Sequence, residues 1–260
     1  MPLWLGAVLM IADAVLLAVL LSRIAVTAPA TGIARAARAS GFWVAAVLGG
    51  LVLWVTLKVQ PPIQIAYGRW IGPATSVGRI PEAIAGFGTV LISGLVQEAL
   101  KLLAILAGVW ALRLLARPGE GDAGGSIPAM AAAVPALGAA AGCAFGIVEA
   151  IVLVVLPNVR AGQAVISDLA VIERIFAIMF HAGSATMLGV GVAKRKAVIA
   201  YGIAALLHGL LNYGIILRAL WILDVIQLEV WVAVGSVATL GLAWWWASTL
   251  RPALSHESIR

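Results

Sequence analysis

Charged residues and cysteine are scarce in this chain. Only 11% of its 260 residues are Asp, Glu, Lys or Arg, whereas about a quarter is usual for a soluble domain. Hydrophobic residues make up 63%, and the mean hydropathy is +1.09, so too few polar side chains remain to cover a surface in water. Cys143 is the single cysteine, which excludes an internal disulfide, a cysteine zinc site and an iron–sulfur cluster. The composition therefore indicates an integral membrane protein.

Long apolar segments take up most of the sequence. They lie at about 2–22, 42–58, 83–115, 128–156, 168–193, 197–218 and 225–249. Most are long enough to cross a hydrocarbon core of about 30 Å. The sequence therefore predicts an all-α, polytopic membrane helical bundle with about seven transmembrane helices, built as one domain over residues 1–260.

Two polar stretches separate the apolar segments. Residues 60–82 contain four prolines and scattered aromatics, so we predict an interfacial or re-entrant connection there. Residues 119–126 are rich in glycine and predict a flexible loop. The first apolar segment lacks the positive leading region of a signal peptide, and we interpret it as a retained span.

The net charge of +6 is explained by membrane topology rather than by nucleic-acid binding, because most cations lie in short loops between apolar segments. One predicted side carries Arg23, Arg35, Arg38, Arg113, Arg117, Lys194, Arg195, Lys196, Arg251 and Arg260, and the other carries Lys58, Arg69, Arg79, Arg160 and Arg218. The richer side predicts a cytoplasmic C-terminus, an N-terminus outside, and residence in the plasma (inner) membrane of a prokaryote.

Polar residues interrupt the third apolar segment in the stretch SGLVQEALKLLAIL. Glu98 and Lys101 are three residues apart, hence neighbours on one helix face, and Gln97 precedes them. A charged side chain facing lipid costs about 2.5–3.5 kcal/mol on insertion scales. These groups must therefore face the bundle interior, where an intrahelical ion pair is the simplest explanation.

The fourth segment places Phe145 and Glu149 on one helix face, four residues apart. Glycines at 138, 142 and 146 form a small-xxx-small pattern that lets another helix approach closely. Such a pattern fits a buried site and equally fits plain helix packing.

The fifth and sixth segments add intramembrane histidines. Arg174 and His181 lie seven residues apart on one stripe, and His208 and Asn212 lie four apart on one face. A single intramembrane histidine is usually a packing residue, but polar groups on four successive spans point to a shared site. Glu98 or Glu149 could take a proton from water, His181 would lie alongside, and His208 with Asn212 could stabilise an oxyanion.

The order of these residues resembles the four motifs of the CAAX-protease and bacteriocin-processing superfamily, best in its PrsW and YhfC branches. The matching stretches are Glu98-Ala-Leu-Lys101, Phe145-Gly-Ile-Val-Glu149, the isolated His181 and His208-Gly-Leu-Leu-Asn212. The resemblance covers about residues 83–214, a four-helix motif-bearing core, and leaves the first two segments and the last one unassigned.

The resemblance implies an intramembrane endopeptidase that uses glutamate-activated water on a membrane protein or a lipidated peptide. The implied activity requires no cofactor, although Glu149, His181 and His208 could bind zinc. Gln97 departs from the family pattern, because the first Glu of its EExxK or EExxR motif falls there.

Three alternatives stay open at the level of sequence. The chain could be an inactive scaffold or substrate-binding protein of the same fold, or a proton-coupled transporter that uses its buried ionisable groups as a relay. His181 and His208 could also be axial ligands of a haem. A site-two metalloprotease and a presenilin-type aspartyl protease lack their HExxH and GxGD motifs here.

Overall fold

The computed structural model describes residues 1–25, 32–75, 78–115 and 127–250. Its helices are α1 (Leu3–Ala25), α2 (Gly32–Thr75), α3 (Arg79–Leu115), α4 (Ile127–Ala150), α5 (Leu156–Arg160), α6 (Asp168–Ala193), α7 (Ala197–Ala219) and α8 (Val225–Ser248). A π-helical turn, Ile151–Val155, joins α4 to α5, so the two form one continuous span. Seven helices in the described ranges are long and apolar enough to cross a membrane, which confirms the predicted all-α polytopic bundle.

The connection predicted at residues 60–82 is wrong. Helix α2 continues through Pro61 and Pro62 to Thr75, and α3 begins at Arg79. In a membrane the helix satisfies nearly all of its own backbone groups, so a proline that removes one N–H is tolerated when neighbours compensate. Here α3 packs beside the extension, and Gln64 Nε2 donates to the carbonyl oxygen of Thr89 at 2.9 Å. The predicted loop at 119–126 lies outside the described residues.

Small residues bring α4 and α6 into backbone contact, as the glycine pattern predicts. A Cβ atom built on Gly142 would lie 2.1 Å from the carbonyl oxygen of His181. Helices α3 and α7 approach as closely, since a Cβ on Gly94 would lie 2.3 Å from the carbonyl oxygen of Ala205. Both contacts hold helices that carry the polar residues singled out in the sequence.

We expect Gly142→Ala to destabilise the protein by about 1–3 kcal/mol, because the added methyl group forces α4 away from α6. Thermal unfolding in detergent measures the change. Gly202→Ala on α7 is the matched control, since a Cβ there meets nothing within 4 Å. Because alanine favours helix more than glycine does, the control should be neutral or slightly stabilising, and equal melting temperatures for the two variants would contradict the close-packing argument.

Candidate functional site

Polar side chains from α3, α4, α6 and α7 meet inside the bundle. Glu98 and Lys101 of α3 are 0% exposed, His181 of α6 is 3% exposed and His208 of α7 is 2% exposed. Buried charges in a membrane protein are stable only when they are paired and hydrogen-bonded. Their partners therefore determine what each group can do.

Lys101 lies at the centre of the cluster, where its ammonium group has three N–H donors. The acceptors are Glu98 Oε1 at 2.5 Å, Ser184 Oγ at 2.8 Å and His181 Nδ1 at 3.2 Å. All three donors are therefore used, and Lys101 is held between α3 and α6. The aromatic ring of Phe145 lies 5.5 Å from Nζ and adds a cation–π contact.

Within the described residues, the carboxylate of Glu98 accepts all of its hydrogen bonds at one oxygen. Besides Lys101, its Oε1 receives His208 Nδ1 at 2.7 Å and Ser184 Oγ at 3.2 Å. Its second oxygen, Oε2, is buried and has no partner among the described residues. The bond to Glu98 orients the His208 ring and leaves Nε2 as a proton acceptor in the neutral ring, as in a carboxylate–histidine pair of a serine hydrolase.

His181 links the lysine to the second carboxylate. Lys101 can only donate, so His181 Nδ1 accepts and Nε2 carries the proton. That Nε2–H lies 3.1 Å from Glu149 Oε2 and donates to it. Phe145 packs edge-to-face on the ring with centroids 4.8 Å apart, which fixes the ring plane. The two carboxylates predicted for the site are therefore connected through Lys101 and His181.

Glu149 lies at the edge of the cluster, where α4 changes to the π-helical turn at Ile151. Its side chain is 12% exposed, against 0% for Glu98. Arg174 Nη1 donates to Glu149 Oε2 at 3.4 Å, and Arg174 Nη2 also pairs with Glu173. Short π-helical turns occur often at functional sites because the extra residue per turn redirects neighbouring side chains.

A cavity of about 230 Å³ adjoins the cluster. Its lining includes predicted site residues from all four helices, Gln97, Glu149, Arg174, His181, His208 and Asn212. The apolar Leu228 and Val232 of α8 close another wall. Glu98, Lys101 and Phe145 lie behind this lining. Of the two candidate bases, Glu149 is thus the carboxylate that a molecule in the cavity would contact.

Asn212 and Gln97 converge on one hydroxyl group at the α3–α7 contact. Asn212 Nδ2 donates to Ser93 Oγ at 3.5 Å, and Gln97 Nε2 donates to the same oxygen at 3.0 Å. This long contact leaves the second N–H of Asn212 for another acceptor. Every residue predicted for the site therefore lies either on the cavity or in the network directly behind it.

On α3 and α6 the sequence reasoning missed four contributors, namely Ser93, Glu173, Phe180 and the role of Ser184 as a partner of Lys101. Phe180 packs against both histidine rings, with centroids 5.7 Å from His181 and 5.1 Å from His208. Ser93 precedes Gln97 by four residues and Ser184 follows His181 by three, so helical spacing from the predicted residues was the available signal.

The cluster does not fit a zinc ion. The metal-ligand atoms that come within 4.8 Å of one another in the described ranges belong to Glu98, His181 and His208, whereas the predicted set had Glu149 in place of Glu98. The ammonium of Lys101 lies 2.5 Å from Glu98 Oε1 and 3.2 Å from His181 Nδ1. A metal would have to displace this cation from between its ligands.

A haem between the two histidines does not fit either. The rings of His181 and His208 are in edge-to-face contact, with centroids 5.3 Å apart. Axial ligation would require them to approach an iron from opposite faces of a macrocycle, and this contact leaves no room for one.

Comparisons of the chain with models of known families, with curated proteins and with solved structures found no match. The resemblance to the CAAX-protease and bacteriocin-processing superfamily therefore remains a prediction, carried by the four motifs and by the way the fold assembles them. The structure is that of a multi-pass, all-α membrane protein with a buried polar cluster beside a cavity.

Proposed function

We propose that the protein is an intramembrane endopeptidase that hydrolyses peptide bonds of membrane-associated substrates with glutamate-activated water. The observation that carries the proposal is the polar cavity, where Glu149, His208 and Asn212 meet inside an apolar bundle. Hydrolysis needs a base for water, donors for the oxyanion and a site shielded from bulk solvent. These groups can supply all three.

In this proposal Glu149 is the base. Its carboxylate lines the cavity, and His181 and Arg174 both contact Oε2. Those two donors hold the carboxylate in place, so it can accept a proton from water and later return it to the leaving amine. Arg174 adds positive charge where the tetrahedral intermediate develops its negative charge.

Glu98 and Lys101 act behind the lining. Glu98 orients His208 through Nδ1 at 2.7 Å, and Lys101 compensates the charge of Glu98. Asn212 presents an N–H to the cavity side as an oxyanion donor, whereas His208 can donate from Nε2 only when its ring is doubly protonated. His208 is therefore also the second candidate for the base.

The test is cleavage of a panel of single-span and lipidated peptides by purified protein in detergent, with and without a chelator. We expect cleavage that a chelator leaves unchanged, because Lys101 occupies the position between Glu98 and His181 that a metal would need. Loss of cleavage on chelation, restored by added zinc, would contradict this metal-independent proposal. Protein carrying Glu149→Gln, purified in parallel, controls for contaminating proteases.

An inactive scaffold of the same fold is the second candidate, favoured by one observation. Gln97, which cannot take a proton from water, occupies the position of the family's first Glu and lines the cavity. A folded protein that binds the peptides of the panel but cuts none of them would support the scaffold.

A further inference from the structure

Gln97 presents an unused hydrogen-bond acceptor beside the cavity. Its side chain is 6% exposed and belongs to the lining. Its Nε2 donates to Ser93 Oγ at 3.0 Å and to Gln60 Oε1 at 3.1 Å. Its Oε1 is buried and has no partner in the part of the chain that the structure describes. Leaving a buried acceptor unpaired is unfavourable because the group loses its hydration without gaining a new partner, so this unpaired oxygen needs an explanation.

The orientation of the Gln97 amide is determined by a series of hydrogen bonds that runs through Gln64 and Gln60. Gln64 Nε2 contacts the carbonyl oxygen of Thr89 at 2.9 Å, and a carbonyl can only accept, so Gln64 must present its N–H there. Gln64 Oε1 then faces Gln60 and accepts from Gln60 Nε2 at 3.4 Å. Gln60 Oε1 is left for Gln97 Nε2. The orientation of each amide determines that of the next, so the series ends with Gln97 Oε1 as a hydrogen-bond acceptor.

None of the donors of the neighbouring cluster reaches Gln97 Oε1 within the described residues. Lys101 uses its three N–H groups on Glu98, Ser184 and His181, and both Nη groups of Arg174 pair with glutamates. A bound molecule can therefore supply the donor that Gln97 Oε1 lacks. A membrane segment that unwinds for cleavage exposes backbone N–H groups with no partner in the hydrocarbon core, and a neutral amide oxygen receives such a group without adding charge.

We propose that Gln97 Oε1 binds a backbone N–H of the unwound substrate next to the cleaved bond, and that Gln60 and Gln64 are positioning residues for it. The proposal rests on the proposed endopeptidase function. It gives the residue that departs from the family pattern a role in substrate alignment instead of proton transfer. It also extends the site to α2, outside the segment that carries the four motifs.

The test replaces single backbone N–H groups of the single-span peptides of the panel by ester oxygens, one position at a time. Binding is measured by fluorescence titration in detergent, and cleavage is followed in the same samples. In the wild type, the ester at one position should weaken binding about tenfold, the size of one lost hydrogen bond. The same ester should have no effect on Gln97→Met and a reduced effect on Gln60→Met, which leaves the amide of Gln97 free to rotate.

Gln163→Met is the matched control, because Gln163 is exposed in the connection between α5 and α6, and it should behave as the wild type. Gln60→Met keeps the cavity lining intact and provides the comparison if Gln97→Met does not fold. Equal ester effects in the wild type and in both variants at every position would overturn the proposal, as would failure of every peptide to bind.

The failure of the proposed function can be distinguished from the failure of this inference. Peptides that bind with the expected ester effect but are not cut would leave the acceptor role standing and overturn hydrolysis. Peptides that are cut with no position coupled to Gln97 would leave hydrolysis standing and overturn the acceptor role, pointing to a water molecule as the donor.

Discussion

Replacing Glu149 with glutamine should lower the rate of peptide cleavage by about 10²–10⁴-fold, the usual contribution of a general base. The amide keeps the shape of the side chain and can still accept from His181, so the cavity should persist while the proton acceptor is lost. Single-turnover cleavage in detergent measures the effect, and thermal unfolding shows whether the variant is folded.

Glu173→Gln is the matched control for this experiment. Glu173 lines the same cavity and pairs with the same Arg174. Of the two carboxylates, Glu149 is the one that accepts a hydrogen bond from His181. We expect the control to change cleavage only a few-fold. If Glu149→Gln cleaves as fast as the wild type whereas His208→Gln is inactive, the base is His208, oriented by Glu98. Equal losses in the Glu149 and Glu173 variants would point to the charge of the cavity rather than to a base.

Which residues cluster inside the bundle could be predicted from the sequence, because the cost of a charge in lipid leaves few places for it. Glu98, Lys101, Glu149, His181 and His208 had to face inward, and the packing of four helices brings inward-facing groups together. The glycine pattern also predicted close packing of α4, and Gly142 does lie against the backbone of α6 at His181.

Which of the two carboxylates lines the cavity could not be predicted. Residue spacing places Glu98 and Glu149 on helix faces, but it does not determine which one lies on the cavity. That depends on the rotation of α3 and α4 about their own axes, for which hydropathy and motif spacing carry no signal.

The contribution of α2 was missed for a different reason. Pro61 and Pro62 favour the end of a helix in water, where exposed backbone groups bind solvent. In the bilayer a helical backbone is lower in free energy than one with unpaired N–H and C=O groups. Helix α2 therefore continues past both prolines and brings Gln60 and Gln64 beside α3. The prolines and aromatics of this segment predicted an interfacial or re-entrant connection, but its Gln60 and Gln64 lie in a helix and hydrogen-bond to each other and to α3.

Lys101→Met should destabilise the protein by about 3–5 kcal/mol, the usual result of removing one partner of a buried ion pair. Methionine fills a similar volume but leaves Glu98 as a buried carboxylate without its cation and leaves His181 Nδ1 and Ser184 Oγ without a donor. Unfolding in detergent, followed by heat or by denaturant, measures the loss. Lys58→Met, the same change at an exposed position of α2, should stay within about 0.5 kcal/mol of the wild type.

The double variant Glu98→Gln with Lys101→Met separates charge from packing. If the penalty of Lys101→Met is mainly that of an uncompensated carboxylate, the neutral glutamine should recover most of the lost stability, since a buried pair and its neutral replacement are often close in free energy. The recovered protein should still be poor at hydrolysis, because His208 loses the carboxylate that orients it. Stability that falls by the sum of the two single changes would show instead that hydrogen bonds of Lys101 to Ser184 and His181, rather than its charge on Glu98, hold α3 against α6.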